Sequence, residues 1–236
     1  MEKTNRYTSA LKAAFPHTIP IMAGFLFLGI TYGIFMNVSG FSFIYPMLTS
    51  IVIFAGSMEF VTVNLLLGAF NPLQALLMTL MVNARHLFYG LALLEKYRIP
   101  GLKRLYLIFG MCDESFSINC SAEPPEGVDR SLFMFFVTLL NHGYWVAGCT
   151  LGGIFGSLLT FNTEGLDFAM TAMFVVIFLE NWLKEKNHTS SLVGLGVTLL
   201  SLVIFGADKF VIPAMIAILG VLTLLRRPIE KAGEAV

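Results

Sequence analysis

Five polar clusters interrupt otherwise hydrocarbon-like stretches of this sequence: Glu59, Asn83-Ala84-Arg85-His86, Asp113-Glu114, Asn141-His142 and Asp167. A charged side chain at the centre of a bilayer costs about 2.5–3.5 kcal/mol on insertion scales, so in membrane segments such residues line a site, pair with one another or carry charge. A carboxylate can meet an ammonium group or hold a proton, and the imidazoles of His86 and His142 titrate near neutral pH. Gly56 and Gly165 stand close to two of the acids. A glycine where a helix breaks leaves N–H groups exposed at the start of a half-helix, and those attract a carboxylate. Exposed amides and an acid together suit a zwitterion. The candidate substrate contacts are therefore Gly56, Ser57, Glu59, Asn83, Gly165 and Asp167, and the candidate proton-coupling or polar-network groups are Arg85, His86, Asp113, Glu114 and His142.

Each of these also has a plainer reading. Gly165-Leu166-Asp167 equally describes a helix cap at the membrane surface, with the acid in its favourable first turn. Arg85 can snorkel to the interface, pair with Asp113 or Glu114, or touch substrate. A lone intramembrane histidine serves packing through a hydrogen bond as readily as proton relay. Asp113 and Glu114 are adjacent, so they cannot share one helix face.

Composition fixes the setting. Hydrophobic residues make up 56% of the 236 and charged residues 13%, against about a quarter charged in soluble proteins. The formal net charge of zero provides no basic field for nucleic acid. Cys112, Cys120 and Cys149 form neither a metal nor a disulfide pattern. No G-x-x-x-x-G-K-[ST], H-E-x-x-H or G-x-S-x-G occurs, so no catalytic residue, metal or cofactor is expected, and no ATP motor of the chain's own. The first dozen residues are polar, and the apolar run after them is long and lacks a small-residue cleavage site. That run reads as a first membrane helix.

Candidate spans are 17–36, 43–69, 72–94, 105–120, 131–158, 165–183, 190–206 and 210–225. The second is too long for one crossing and is interrupted at Ala55-Gly56-Ser57; the fourth is short and carries Asp113-Glu114 in its middle. Lys and Arg gather at the N-terminus, at Lys96-Arg98-Lys103-Arg104, at Lys184 and Lys186, and at Arg226-Arg227, which reads as the cytoplasmic side. Satisfying all of them at once requires 43–69, 105–120 or both to be re-entrant. The expectation is an all-α polytopic membrane protein of about seven transmembrane helices with interrupted or re-entrant segments. It forms one transporter domain over 1–236, with cytoplasmic tails at 1–15 and 227–236.

An internal echo marks candidate halves at 16–94 and 131–226. Gly29-Ile30-Thr31-Tyr32-Gly33 resembles Gly148-Cys149-Thr150-Leu151-Gly152, and Gly56-Ser57-Met58-Glu59-Phe60 resembles Gly165-Leu166-Asp167-Phe168. Chance is a competing account of matches this short. A real repeat would be that of a transporter whose site lies between interrupted helices. The face of Gly148, Gly152 and Gly156 suits close helix packing, including a homodimer.

Four motifs in order, Phe54-Ala55-Gly56-Ser57-Met58-Glu59-Phe60, Asn83-Ala84-Arg85-His86-Leu87-Phe88-Tyr89-Gly90, Asp113-Glu114-Ser115-Phe116 and Gly165-Leu166-Asp167-Phe168-Ala169, make the chain resemble the AzlC family. These are large subunits of branched-chain amino acid exporters, also described as azaleucine-resistance permeases. The resemblance runs from about Ala14 to Leu225 and implies a multi-pass carrier in a bacterial inner membrane. It also implies a small AzlD-type membrane subunit as partner and valine, leucine, isoleucine or methionine as cargo. Many members carry Gln where this chain has Glu59, so the resemblance implies a polar contact there and not a family-wide charge.

The reading is a secondary transporter exporting apolar amino acids. An intramembrane enzyme using His86 or His142 with Asp113, and an uptake permease or channel, are the alternatives. The topology makes a direct prediction: cysteines placed at Lys96–Arg104 or at Arg226–Arg227 resist a membrane-impermeant maleimide in intact cells and react after permeabilisation. Ready labelling from outside would reverse the orientation.

Overall fold

The computed structural model describes residues 2–69, 71–83, 85–158, 188–206 and 210–225, with isolated positions between 172 and 183. Among the described residues there is no strand. The chain forms two compact units, Met1–Ala169 and Met170–Val236. The first contains α1 (Glu2–Val38), α2 (Ile44–Val52), α3 (Gly56–Leu67), α4 (Pro72–Val82), α5 (Arg85–Ala92), α6 (Leu102–Phe109), α7 (Asp113–Ser121) and α8 (Arg130–Phe155), followed by a short 3-10 turn. In the second, α9 (Thr189–Phe205) packs on α10 (Val211–Leu224). Among the described residues, α1 from Arg6 and the whole of α8 are long and apolar enough to cross a membrane.

Helices α1 and α8 run side by side and parallel. Arg6 pairs with Asp129 at 2.6 Å, Phe25 meets Trp145 with ring centroids 5.5 Å apart, and the Asn37 amide donates to the Gly153 carbonyl at 3.3 Å, so the partners advance together. Glycines allow the approach: a Cβ on Gly33 would overlap the Cys149 carbonyl oxygen, and one on Gly152 would overlap that of Ile30. The two copies of the sequence echo therefore face each other across one seam. Thr31 and Thr150 each turn their hydroxyl back to the carbonyl four residues earlier, at 2.9 and 2.7 Å. Gly148 and Gly152 are covered by α1 and Gly156 by Asn37, so this small-residue face is used within the chain and is not left open to a second copy.

Asp129 caps α8 by accepting from the N–H of Leu132 at 3.0 Å while holding Arg6. Partial burial raises its pKa. The Leu132 amide and the Arg6 guanidinium act the other way and prevail, leaving the carboxyl below its usual range. The cap and ion pair therefore persist as pH falls, until the carboxyl protonates at that lowered pKa.

Measured along this α1–α8 pair, 43–69 and 105–120 each enter and return. In the first, Pro46 lies where a Cβ on Gly153 would be, Thr49 bonds Tyr32 at 2.9 Å, and the Ser50 carbonyl and Phe54 reach His142. Then α3 goes back: Glu59 meets Trp145, and Phe60 lies against Tyr32 and Phe35. In the second, entering from the opposite end, Lys103 stands over the ring of Tyr7, Tyr106 meets His142, and Gly110 abuts Thr138. Then α7 returns through Ser115, which meets Asn141, to Asn119, which meets Thr138 and Tyr97. The two tips touch, since a Cβ on Gly110 would stand 3.7 Å from Phe54 Cε1.

The stretch 72–94, read from hydropathy as a single span, is broken too, because α4 ends at Val82 and α5 begins at Arg85. It links the two ends of the unit. Thr79 reaches Met58, Tyr89 stacks on Phe116 at 4.3 Å, and Leu93 enters a core with Ala14, Phe133 and Val137.

The seam predicts a sharp contrast among glycines. Gly33→Ala and Gly152→Ala should each destabilise the protein by about 1–3 kcal/mol, the cost of overpacking against an immovable backbone. Gly143→Ala, with nothing within 4 Å of the added carbon, should change stability by no more than about 1 kcal/mol, in the favourable direction of helix propensity. Thermal unfolding of the detergent-purified protein measures both.

Candidate functional site

The re-entrant tips, the break in α4–α5 and the middle of α8 come together. At the first tip Phe54 has φ 46, a left-handed conformation that strains a bulky residue by about 1–3 kcal/mol. It is held there by stacking on His142 at 4.3 Å. The turn lets α3 start at Gly56, and the six-membered ring of the Trp145 indole covers that start, 3.2 Å from where a Cβ would be. At the second tip Gly110 ends α6 and Cys112 precedes α7, so Asp113 and Glu114 fall in the first turn of a helix, where acids are favoured, and not in mid-helix.

A ring of polar contacts joins four helices. Arg85 on α5 donates to the Ser57 hydroxyl on α3 at 3.0 Å and pairs with Asp113 on α7 at 2.8 Å. Two residues on, the Ser115 hydroxyl accepts from the Asn141 amide of α8 at 3.2 Å. One turn further along α8, the Trp145 indole N–H donates to Glu59 Oε1 of α3 at 2.8 Å, which closes the ring. The same Oε1 accepts the backbone N–H of Ala55 at 3.2 Å, so Glu59 itself satisfies an amide at the start of its own helix. Glu59 is 0% exposed and its Oε2 has no hydrogen-bond partner.

His142 joins both tips to α8. Its Nε2 faces the Ser50 carbonyl at 3.1 Å, an acceptor only, so Nε2 carries the hydrogen and Nδ1 faces the Tyr106 hydroxyl at 2.9 Å. His86 stays local, with Nδ1 donating to the Asn83 carbonyl at 3.1 Å while the buried Asn83 Oδ1 has no partner. Glu114 is half-buried beside Cys112. Gly165 and Asp167 lie outside the described residues.

Of the sequence candidates, the structure thus gathers Ser57, Arg85 and Asp113 into one contact, attaches Glu59 to them through α8, and sets His86 and Asn83 beside the α4–α5 break. It adds Ser115, which stands in the third motif but is not among the candidates, and Trp145, Tyr106 and Ser50, which lie in none of the motifs. Trp145 had a signal: it is four residues after Asn141, on the same face of a long apolar helix. At the far end of α7, Lys96 donates to the carbonyls of Asn119 (3.4 Å) and Cys120, placing a cation at the negative end of that helix.

The ion pair leads to a measurable coupling. Arg85→Ala and Asp113→Ala should each destabilise the protein, while the double variant loses less than their sum, with a coupling of about 0.5–3 kcal/mol in thermal unfolding. Additive losses would show that the two side chains act independently.

The model of the AzlC protein family matches residues 20–159. The chain is 66% identical to the branched-chain amino acid transport protein AzlC of Bacillus subtilis over 236 residues, covering 100% of this chain and 93% of that one. It is 49% identical to an uncharacterized membrane protein of Haemophilus influenzae, covering 99% of this chain and 96% of the relative. With the inner membrane protein YgaZ of Escherichia coli it shares 26% identity, over 78% of this chain and 80% of that protein. No solved structure matches the chain. The family match spans all of α2 to α8, the elements that build the polar ring, and with full-length identity at this level the chain belongs to the AzlC family.

Proposed function

We propose that the chain is a secondary transporter exporting branched-chain or similar apolar amino acids across a bacterial inner membrane, together with a small AzlD-type membrane subunit. The observation that carries this is the meeting of two re-entrant tips, entering from opposite ends, against one polar stretch of α8. Irregular backbone inside a bilayer persists only where protein or a water-filled path covers it, and transporters use such breaks to hold charged substrate groups midway across. The name of the Bacillus subtilis relative supplies the class of cargo.

The contacts also support a topology. The N-terminal ends of α1 and α8, Lys103 and Lys96 share one end of the first unit, which fits the cytoplasmic side by charge. That unit then makes three crossings, α1, α4–α5 and α8, with the two re-entrant segments between them. With the stretches at 165–183, 190–206 and 210–225 the total becomes six, where hydropathy and the distribution of basic residues suggest about seven. Charged substrate groups bind near Gly56 and the first turn of α7, with the aliphatic side chain among the aromatic rings around Trp145. One proton moving inward through 100 mV supplies about 2.3 kcal/mol, enough for a gradient near fifty-fold.

Counterflow tests this. Proteoliposomes loaded with unlabelled leucine should show saturable uptake of labelled leucine, and Gly56→Leu should abolish it while the protein remains inserted. Enzymatic conversion of leucine, or uphill uptake where export is expected, would replace this reading.

A further inference from the structure

The carboxyl of Glu59 is asymmetric. Oε1 accepts two donors, the Ala55 amide and the Trp145 indole, whereas Oε2 is buried with none. Neither donor can move easily. The Ala55 N–H belongs to the backbone at the re-entrant tip, and the indole is wedged against Gly56, edge-on to Phe25 and stacked on Tyr32. The titratable groups facing the carboxyl are the Tyr32 phenol from α1 and the Cys149 thiol from α8. Tyr32 is bonded to Thr49, and the Arg85 guanidinium on α5 contacts Ser57 and Asp113.

We infer that Glu59 Oε2 is a single-occupancy cation site, held by a proton when no substrate is bound and by the ammonium group of the amino acid when one is. This deepens the amino-acid transport reading and rests on it. A wholly buried carboxylate oxygen without a donor is costly, and a proton on Oε2 removes that cost using only the atoms present. An ammonium group supplies the same missing donor together with a full positive charge. The two cannot share one oxygen. The exchange balances as carboxylic acid plus ammonium giving a carboxylate–ammonium pair plus one proton, which leaves to water on the side where substrate enters. Return of the proton from the other side expels the amino acid, so export and proton entry are coupled one to one without a second site. Trp145 is the positioning residue: by occupying Oε1 it leaves Oε2 as the atom that must choose.

The test is proton release on binding. Purified full-length protein in detergent is titrated with leucine by calorimetry from pH 5.5 to 8.5, in two buffers of different ionisation enthalpy. About one proton should be released per leucine wherever the carboxyl starts protonated, and the apparent Kd should then rise about tenfold per pH unit as pH falls. Glu59→Gln puts an amide NH2 where the proton was, so leucine should bind at least about tenfold more weakly, with a Kd independent of pH and no proton release. If Glu59→Gln does not fold, Glu59→Asp replaces it: proton release should persist with its pH midpoint displaced, and an undisplaced midpoint would assign the proton to another group. Leucine binding with no proton released and a flat Kd would overturn the competition while leaving transport standing. A proton release unchanged in Glu59→Gln would move the proton to another group. Absence of binding of leucine, valine, isoleucine or methionine at every pH would overturn both readings.

Discussion

Backbone-to-backbone contact between α1 and α8 is the constraint on which the rest of the first unit depends. Gly29, Gly33, Gly148 and Gly152 set backbone against backbone where the helices meet, so the two helices sit at the distance their main chains allow. Close approach of this kind gains dispersion and excludes lipid where no hydrophobic effect separates helix from lipid. The resulting wall is closely packed and apolar on most of its length. Against it the chain can hold what a lone helix in lipid cannot: two re-entrant turns whose unpaired amides and carbonyls need protein partners.

Those partners are supplied with little redundancy. Ser50, at the end of α2, gives its carbonyl to His142, and the Ala55 amide at the start of α3 goes to Glu59. At the second tip the contacts run between side chains: the Ser115 hydroxyl accepts from the Cys112 thiol at 3.3 Å and from the Asn141 amide at 3.2 Å. The acids therefore have a local task, easing the start of a half-helix, as well as whatever they do for a substrate. Both tasks favour the same positions, because the positive end of a helix attracts a carboxylate whether it belongs to the protein or to the cargo. Glu59 separates the two tasks by atom, with Oε1 given to the fold and Oε2 left over.

The parallel course of α1 and α8 gives the internal echo a physical meaning. Matching Gly-x-Thr-x-Gly segments face each other along one seam, as in helices related by an axis along their length, and each threonine makes the same backward hydrogen bond. The second echo, at Gly165 and Asp167, lies outside the described residues.

The amino-acid sequence by itself determined the solvent of this protein and the positions where chemistry could sit. Hydropathy and the cost of charge are local properties, written in each stretch, and they sufficed to single out Glu59, Arg85, Asp113 and His142. Local pattern also marked the break near Gly56. The break after Val82 has no glycine or proline to announce it, only the polar run that starts at Asn83. Tertiary structure alone decided that both 43–69 and 105–120 turn back, because a short apolar helix reads the same whether it crosses or returns. It also decided which atoms meet. Trp145 and Glu59 lie on different helices, and whether an indole N–H finds a carboxylate depends on how close the main chains come, which the glycine seam sets at a distance from both.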